Sequence, residues 1–263
     1  MNNIYMPIKS KILSITPHTD IEYTFRMEYK GEAKPGQFFE VSIPKYGEAP
    51  ISICGIGDGY IDLTIRRVGK VTDVIHTFFE GDTLFLRGPY GNGFDVTSYE
   101  GKEIIVAAGG TGLAPVKGIV DYFVENPEKA KSFKLLTGFK SPKDVLFKED
   151  IKKWEKIIDV TLTVDKADEG YEGNVGLITK YVDSLPIENP DEAQLVIVGP
   201  PIMMKFTIPE FIKRGIKEEN ITVSYERKMC CGVGKCGHCK VDDTYICLDG
   251  PVFNYTKAKN LID

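Results

Sequence analysis

The placement of the cysteines constrains this chain more than any other feature. Of its six cysteines, Cys54 stands alone and the other five lie between Cys230 and Cys247. A disulfide framework would spread cysteines along the chain, whereas crowding in one window is typical of a metal site. The window is too short to bury a hydrophobic core of its own. We therefore predict that a metal centre holds the C-terminal segment together.

Four of these cysteines have the spacing of an iron–sulfur site. Four, two and seven residues separate the successive members Cys231, Cys236, Cys239 and Cys247. The first two intervals match plant-type [2Fe-2S] clusters, and the intervening glycines let backbone N–H groups approach the sulfur atoms. A four-cysteine zinc site normally has two C-x2-C pairs about a dozen residues apart, and one pair is present here. The spacing predicts a [2Fe-2S] cluster, with zinc as the alternative.

Two neighbouring residues could compete with these ligands. Cys230 adjoins Cys231, and we assign Cys231 because it begins the glycine-rich loop at the four-residue interval. His238 lies where a Rieske-type cluster could use an imidazole, but the other histidines, His18 and His76, have no ligand spacing. We interpret His238 as a solvated loop residue.

Composition and charge exclude several classes of function. The chain has 263 residues, of which 42% are hydrophobic and 27% charged, as in ordinary globular proteins. A net charge of -5 without a long basic stripe argues against a nucleic-acid partner. The apolar runs are far shorter than the roughly 20 residues that span a bilayer, and the N-terminal residues do not form a secretory signal. We predict a cytoplasmic protein.

Residues 1–98 carry strand patterns almost exclusively, which predicts an antiparallel sheet or a small barrel. Apolar and polar residues alternate over Lys11–Ile15, Ile21–Met27, Phe38–Ile43, Tyr60–Arg66 and Thr83–Arg87. One helix interrupts these strands, because apolar residues recur at helical spacing from Val71 to Phe79.

Residues 99–224 alternate between buried strands and amphipathic helices, which predicts a parallel sheet with right-handed crossovers. The strands are Ile104–Ala108, Phe133–Thr137, Ile157–Val164, Leu195–Val198 and Ile221–Ser224. The helices are Val116–Val124, Lys148–Lys156, Ile178–Ser184 and Ile202–Arg214. With residues 225–263 as a small cluster segment, the predicted fold is a multidomain α+β protein.

Two glycine-rich turns follow buried strands and open helices. Gly109, Gly110, Thr111 and Gly112 precede Pro115 in the first turn, and Gly199 and Pro200 precede Met203 in the second. Glycines let backbone N–H groups approach a pyrophosphate, and a helix N-terminus supplies positive potential. The first turn is not G-x-G-x-x-G, so a purely structural turn is the alternative. Two such turns at one sheet edge form a crevice where nucleotides bind.

A third group of motifs lies in the predicted barrel. It comprises Pro50-Ile51-Ser52-Ile53, Leu63–Thr72 and Arg87–Phe94. Taken singly, these segments are typical of a barrel strand, a helix start and a glycine-rich linker. Their order along the chain carries more information than any one of them.

In this order, the motifs resemble the ferredoxin-NADP reductase superfamily, in which a flavin-binding β-barrel precedes a nicotinamide-binding α/β domain. The C-terminal cluster is similar to that of a subgroup: the electron-transfer subunit of dihydroorotate dehydrogenase, the gamma subunit of sulfhydrogenase and the corresponding subunit of anaerobic sulfite reductase. The segments Glu226–Cys239 and Tyr245–Phe253 most resemble the last of these.

The resemblance implies a set of cofactor-binding residues. Those for the flavin would be Pro50, Ile51, Ser52, Ile53, Thr64, Ile65, Arg66, Val71 and Thr72. Those for NADH or NADPH would be Gly109, Gly110, Thr111, Gly112, Pro115, Gly199, Pro200 and Met203. Ala49 stands where the superfamily usually has an arginine, and Ile51 stands where it has a ring-stacking aromatic. Arg66 or Arg67 could supply the missing charge. FAD is expected, with FMN as the alternative.

The resemblance also implies an activity and partners. NADH would reduce the flavin, and the [2Fe-2S] cluster would pass electrons singly to iron–sulfur and sirohaem subunits of an anaerobic sulfite reductase. No side chain is required as a catalytic acid or base. An electron-transfer subunit of dihydroorotate dehydrogenase or a sulfhydrogenase is the alternative, although seven residues between the last two cysteines is short for the former. In a different class, the chain would be a redox-sensing or zinc-stapled binding protein.

Overall fold

A closed antiparallel barrel forms from the alternating segments near the N-terminus. The computed structural model describes residues 3–261 of the chain. The barrel strands are β1 Ile8–Pro17, β2 Glu22–Glu28, β3 Phe38–Ile43, β4 Gly47–Gly57, β5 Tyr60–Arg66 and β6 Thr83–Tyr90. They follow one another around the barrel in the order β1-β2-β5-β4-β3-β6. The predicted antiparallel barrel is confirmed.

Side chains alternate between the barrel core and its outer face, as strand geometry requires. On β3, Phe39 and Val41 belong to the barrel core, whereas Glu40 between them is buried outside that core. The predicted helix is shorter than its apolar pattern, because α1 spans Lys70–Ile75. The N–H groups of Thr77 and Phe78 bond carbonyls three residues back, which tightens the chain into a turn.

A seven-stranded sheet dominates the second part of the chain. Its strands are β7 Glu103–Gly109, β8 Ser132–Phe139, β9 Asp159–Val164, β10 Asn174–Val175, β11 Gln194–Val198, β12 Ile221–Ser224 and β15 Val252–Asn254. The order across the sheet is β10-β9-β8-β7-β11-β12-β15. The pairs β7–β8, β8–β9, β7–β11 and β11–β12 are parallel, which confirms the predicted α/β architecture.

The three longest helices of the second unit are α2 Leu113–Glu125, α3 Lys148–Trp154 and α4 Pro201–Lys213. The helix predicted over Ile178–Ser184 is instead a 3-10 turn, Ile178–Tyr181. The Val182 N–H bonds the carbonyl of Thr179, three residues back, as in a 3-10 turn.

The C-terminal residues are divided between two units of the chain. The first unit contains the barrel up to Phe94 together with Tyr225–Val252, and the second contains Asp95–Ser224 together with the residues from Phe253 onward. The cysteine segment, Tyr225–Val252, has the short hairpin β13 Lys240–Val241 and β14 Thr244–Tyr245 and the helix α5 Ile246–Asp249. A last helix, α6 Tyr255–Ala258, follows β15. Residues 3–261 contain no helix that is long and apolar enough to cross a membrane.

Candidate cofactor sites

Three glycines allow the cysteine loop to turn its backbone amides toward its own sulfur atoms. Gly232, Gly234 and Gly237 have φ values of 73°, 67° and 81°, in the left-handed region. The N–H groups of Val233, Lys235 and Cys236 donate to Cys231 Sγ at 3.5, 3.3 and 3.4 Å, and that of Gly234 donates to Cys247 Sγ at 3.2 Å. Amide donors of this kind stabilise negative charge on cluster sulfur atoms.

The same amides lower the pKa values of the thiols that they contact, against the effect of burial. Burial raises the pKa of Cys231, but the N–H groups of the loop outweigh it and lower the pKa overall. The N–H of His238 lowers the pKa of Cys236. Burial raises the pKa of Cys247 to about 12 despite the N–H of Gly234. Metal binding therefore has to displace a proton from Cys247, whereas the lowered pKa values of Cys231 and Cys236 make their deprotonation easier.

The four thiols form two pairs. The Cys236 thiol acts to raise the pKa of Cys231, and the Cys239 thiol acts to raise that of Cys247, so the two thiols of each pair interact. Within residues 3–261, no three His, Cys, Asp or Glu side chains are arranged as ligands of a single metal ion. A [2Fe-2S] cluster takes two protein ligands at each of its two irons. The paired thiols and their amide donors therefore fit such a cluster.

The two glycine-rich turns of the second unit meet at one sheet edge. They follow the adjacent parallel strands β7 and β11, where Ala108 pairs with Val198. A Cβ added to Gly199 would lie 3.1 Å from the Gly109 nitrogen, and one added to Gly112 would lie 2.5 Å from the Val198 oxygen. The strand order reverses between β7 and β11, and nucleotides bind at such switch points.

The predicted nucleotide residues have different places in this crevice. Met203 of α4 lies over both turns, since its Sδ would be 2.4 Å from a Cβ on Gly109 and 3.0 Å from one on Gly199. Gly110 has a φ of 54° and Thr111 is half-buried, so both lie in the turn before α2. Pro115 is buried within α2, so its role is in packing. No side chain caps the N-terminus of α2, and the N–H of its first residue, Leu113, donates to the carbonyls of Gly110 and Thr111 within the turn.

We expect Gly112→Ala to damage this crevice. The added Cβ would meet the Val198 carbonyl, and backbone atoms cannot move aside as a flexible side chain can. The second unit should lose about 1–3 kcal/mol of stability, as in overpacked cores, and NADH should bind more weakly. Calorimetry and an NADH titration would measure both effects. Gly101→Ala is the control, because its site has open space and a φ of 73° and precedes β7. It should lose stability without losing NADH affinity.

The residues predicted to hold the flavin lie on two faces of the barrel wall. Ile53 and Ile65 are buried in the barrel core, so only their backbone is available to a ligand. Ile51 also packs against that core. Pro50 is exposed and lies opposite Glu40, while the half-buried Ser52 lies opposite Phe38.

The remaining flavin residues lie along β5 and α1. Thr64 Oγ1 is 2.8 Å from Thr24 Oγ1, and Arg66 Nε is 3.1 Å from a Glu22 carboxylate oxygen. Val71 packs against the barrel core, and the Thr72 hydroxyl accepts the N–H groups of Val68 and Gly69 at the start of α1. Arg66 and Arg67 are both exposed, and the charge of Arg66 is paired with Glu22.

Sequence reasoning missed four polar residues near the cysteine segment. Arg87 and Asn92 bind its backbone, Glu48 binds Arg87, and Glu40 lies on β3 opposite Arg87. Glu40 is fully buried, and within residues 3–261 neither of its carboxylate oxygens has a hydrogen-bond partner. The sequence of Arg87–Phe94 is typical of a glycine-rich linker, and nothing in its composition predicts these contacts.

A closed barrel joined to a parallel sheet with a glycine-lined switch point defines a class, the reductases of ferredoxin-NADP reductase type. The chain has the fold of the NADH-dependent reduced ferredoxin-NADP oxidoreductase, with a TM-score of 0.78 and 24% identity over 99% of this chain and 94% of that one. It also has the fold of a Neisseria gonorrhoeae ferredoxin NADP+ reductase with bound FAD and NADP. That TM-score is 0.71, at 18% identity over 83% of this chain and 98% of that one.

Matches to family models and to relatives over nearly the whole chain show which members of this class the chain resembles. Residues 106–208 match the oxidoreductase NAD-binding domain, and residues 226–259 match the iron–sulfur cluster binding domain of dihydroorotate dehydrogenase B. Sulfhydrogenase 1 subunit gamma of Pyrococcus furiosus is 36% identical over 97% of this chain and 92% of its own length. A probable dihydroorotate dehydrogenase B electron transfer subunit of the same organism is 32% identical over 91% and 85%.

The chain therefore belongs to the family of ferredoxin-NADP reductase type that includes these two kinds of subunit. It is an oxidoreductase subunit of flavin- and NAD-binding type. The predicted cofactor set is confirmed: a nicotinamide-nucleotide domain and an iron–sulfur domain follow a barrel with the fold of FAD-binding reductases.

Proposed function

We propose that this chain is the electron-transfer subunit of a multi-subunit oxidoreductase, in which it oxidises NADH through FAD and a [2Fe-2S] cluster. The observation that carries the proposal is the composition of the first unit. The barrel and the four-cysteine segment belong to one unit, and the segment is hydrogen-bonded to β6. Such an arrangement suits a protein that passes electrons from a flavin to a cluster.

The residues of the chain have binding and insulating roles in this proposal. The turns Gly109–Gly112 and Gly199–Pro200 would bind the dinucleotide, β4 and β5 would hold the flavin, and the four cysteines would hold the cluster. When bound, FAD and the cluster supply the conversion of a two-electron donor into single-electron steps. Lys235–His238 are exposed on the cluster loop, which leaves one side of the cluster accessible to an acceptor.

NADH is the better candidate for the dinucleotide because of the residues beyond β8 and β9. Asp165 is exposed directly after β9, and its N–H bonds the carbonyl of Phe139 at the end of β8. A carboxylate at this sheet edge suits a ribose hydroxyl and repels the 2′-phosphate of NADPH. Partial desolvation by neighbouring protein atoms raises the pKa of Asp165, and the charge of Lys140 opposes that effect. The same lysine could attract a phosphate, so a titration of the chain with NADPH beside NADH tests this choice.

The partner is the second part of the proposal. Full-length similarity favours a complex of the sulfhydrogenase type, with dihydroorotate dehydrogenase B next. The resemblance of the segments Glu226–Cys239 and Tyr245–Phe253 favours the iron–sulfur and sirohaem subunits of an anaerobic sulfite reductase. We propose an acceptor that reduces a sulfur compound, because sulfhydrogenase and sulfite reductase share that feature.

An anaerobic NADH titration of the purified chain tests the electron path. Visible absorption, low-temperature EPR, and iron and flavin content are measured on one sample. Bleaching of the flavin together with the rhombic EPR signal of one reduced [2Fe-2S] cluster is the expected result. A colourless protein that contains zinc and ignores NADH would reject the proposal in favour of a zinc-stapled binding protein.

The partner is identified by isolating the complex from its native cells. The isolated complex is assayed with NADH and sulfite, with NADH and polysulfide, and with dihydroorotate and NAD+. Turnover of sulfite or polysulfide is expected from the complex and not from the chain alone. Orotate formation would assign the chain to dihydroorotate dehydrogenase B instead.

A further inference from the structure

A buried arginine connects the barrel to the cysteine segment. Arg87 of β6 is 7% exposed, and its guanidinium donates five hydrogen bonds. Nε and Nη2 donate to the Glu48 carboxylate at 3.3 and 2.7 Å, Nη1 donates to the Tyr90 hydroxyl at 3.1 Å, and Nη1 and Nη2 donate to the carbonyls of Cys231 and Cys230 at 2.5 and 2.8 Å. A guanidinium has five N–H donors, so all of them are engaged.

These contacts join three parts of the first unit. Arg87 belongs to β6, Glu48 lies near the start of β4, and the two carbonyls belong to the cysteine segment. β4 also carries Pro50 and Ser52, which we place at the flavin. A planar guanidinium binds a carboxylate with fixed geometry, in contrast to a lysine ammonium. The Arg87 side chain therefore fixes Cys231, the first cluster ligand, to β4, the strand that carries Pro50 and Ser52.

The cysteine segment is held at both of its ends. On the Cys231 side, Arg87 holds the carbonyl while the loop amides hold the sulfur atom. On the Cys247 side, the Asn92 side chain donates to the Val252 carbonyl at 2.8 Å and its backbone N–H donates to the Gly250 carbonyl at 2.8 Å. Of these two residues, Arg87 is the one that is charged and that bonds the backbone of a cluster ligand directly.

We propose that Arg87 is a positioning residue for the iron–sulfur cluster, which fixes the peptide of Cys230 and Cys231 to β4 and β6. This inference rests on the proposed function, because it requires a cluster at the four cysteines. Arg87 also places a buried positive charge beside the first ligand. Such a charge stabilises the reduced cluster, which carries one more negative charge than the oxidised one.

The test compares Arg87→Lys and Arg87→Gln in the holoprotein by EPR-monitored redox titration, with iron and flavin content. Arg87→Gln removes the charge and should make reduction of the cluster about tenfold less favourable, equivalent to about 59 mV for one electron. Arg87→Lys keeps the positive charge but loses the planar guanidinium that bonds several acceptors at once. Its EPR g values should therefore change, and its reduction potential should shift less than that of Arg87→Gln. The control is Arg26→Lys, because Arg26 binds Asp62 through two hydrogen bonds of 2.8 Å between β2 and β5.

The outcomes separate this inference from the proposed function. Altered g values in Arg87→Lys, or loss of its iron with FAD retained, support the inference when Arg26→Lys matches the wild type. Wild-type g values and potential in Arg87→Lys would overturn it, and so would equal changes in Arg87→Lys and Arg26→Lys. A wild-type protein without a [2Fe-2S] signal would reject the proposed function itself, before any variant is compared.

Discussion

Cys236→Ser is expected to remove the iron–sulfur cluster from the protein. Cys236 is exposed and its thiol pairs with that of Cys231, so the serine variant leaves one iron with a single good ligand. The iron content should fall from about two atoms per chain toward zero. The cysteine segment should also lose order, because its regular structure consists of a two-residue hairpin and one helical turn.

Cys230→Ser is the matched variant for this experiment. Its carbonyl binds Arg87, and serine keeps that carbonyl, so iron and the EPR signal should be retained. Iron and labile sulfide are assayed in both variants after anaerobic purification. Iron retained by Cys236→Ser, or lost from Cys230→Ser, would show that the ligand set is wrong.

Glu40→Gln is expected to stabilise the protein at alkaline pH and to change it little near pH 5. Burial raises the pKa of Glu40 from 4.5 to about 8, with the Glu48 carboxylate and the Cys231 thiol adding to the effect and Arg87 opposing it. Arg87 faces Glu40 across β3 and β6, but all its donors are engaged elsewhere. The carboxyl therefore has an opposite charge nearby and no hydrogen bond from it.

The direction of the pH dependence follows from this raised pKa. Between pH 4.5 and about 8, the unfolded chain releases a proton that folded Glu40 retains. The contribution of Glu40 to the free energy of unfolding is largest below pH 4.5, and it decreases as the pH rises to about 8. The loss is at most about 1.4 kcal/mol per pH unit within this window. Glutamine cannot ionise, so Glu40→Gln should lack this loss.

Calorimetry of both proteins from pH 5 to pH 8.5 measures the effect, because it can separate the unfolding of the two units. The difference in midpoint temperature should grow with pH in favour of the glutamine variant. Glu149→Gln, an exposed change on α3, should follow the wild type throughout. A constant difference across the range would mean that Glu40 is ionised in the folded protein.

The spacing of apolar residues, together with the glycines and prolines between segments, predicted most of the fold. Alternation identified β3 and β5 with their observed bounds, and apolar runs identified the parallel strands of the sheet. The two nucleotide turns were also predictable, because each one follows a buried strand and opens a helix. These features are local, so the residues adjacent to each position determine them.

The contacts that fix the cysteine segment could not be predicted in the same way. Arg87 binds carbonyls that lie 143 and 144 residues further along the chain, and neither residue type nor spacing identifies that pairing. The sequence does not predict the burial of Glu40 either, because the alternating pattern of β3 places this residue on a face that is expected to be exposed. The outer face of β3 is instead covered, and Phe38 beside Glu40 is also buried.

The division of the chain into units has a consequence for its modularity. The first unit is interrupted, since Asp95–Ser224 separates the barrel from the cysteine segment. In architectural terms, the chain alternates between the two units, because the second unit contains Asp95–Ser224 and also the residues from Phe253 onward. The entropy of closing a long intervening chain grows only slowly with its length, so Asp95–Ser224 can separate the two parts of the first unit at a small cost. A single cut cannot release the first unit intact. The deletion that follows its boundaries excises Asp95–Ser224, bridges Phe94 to Tyr225 and ends the chain at Val252.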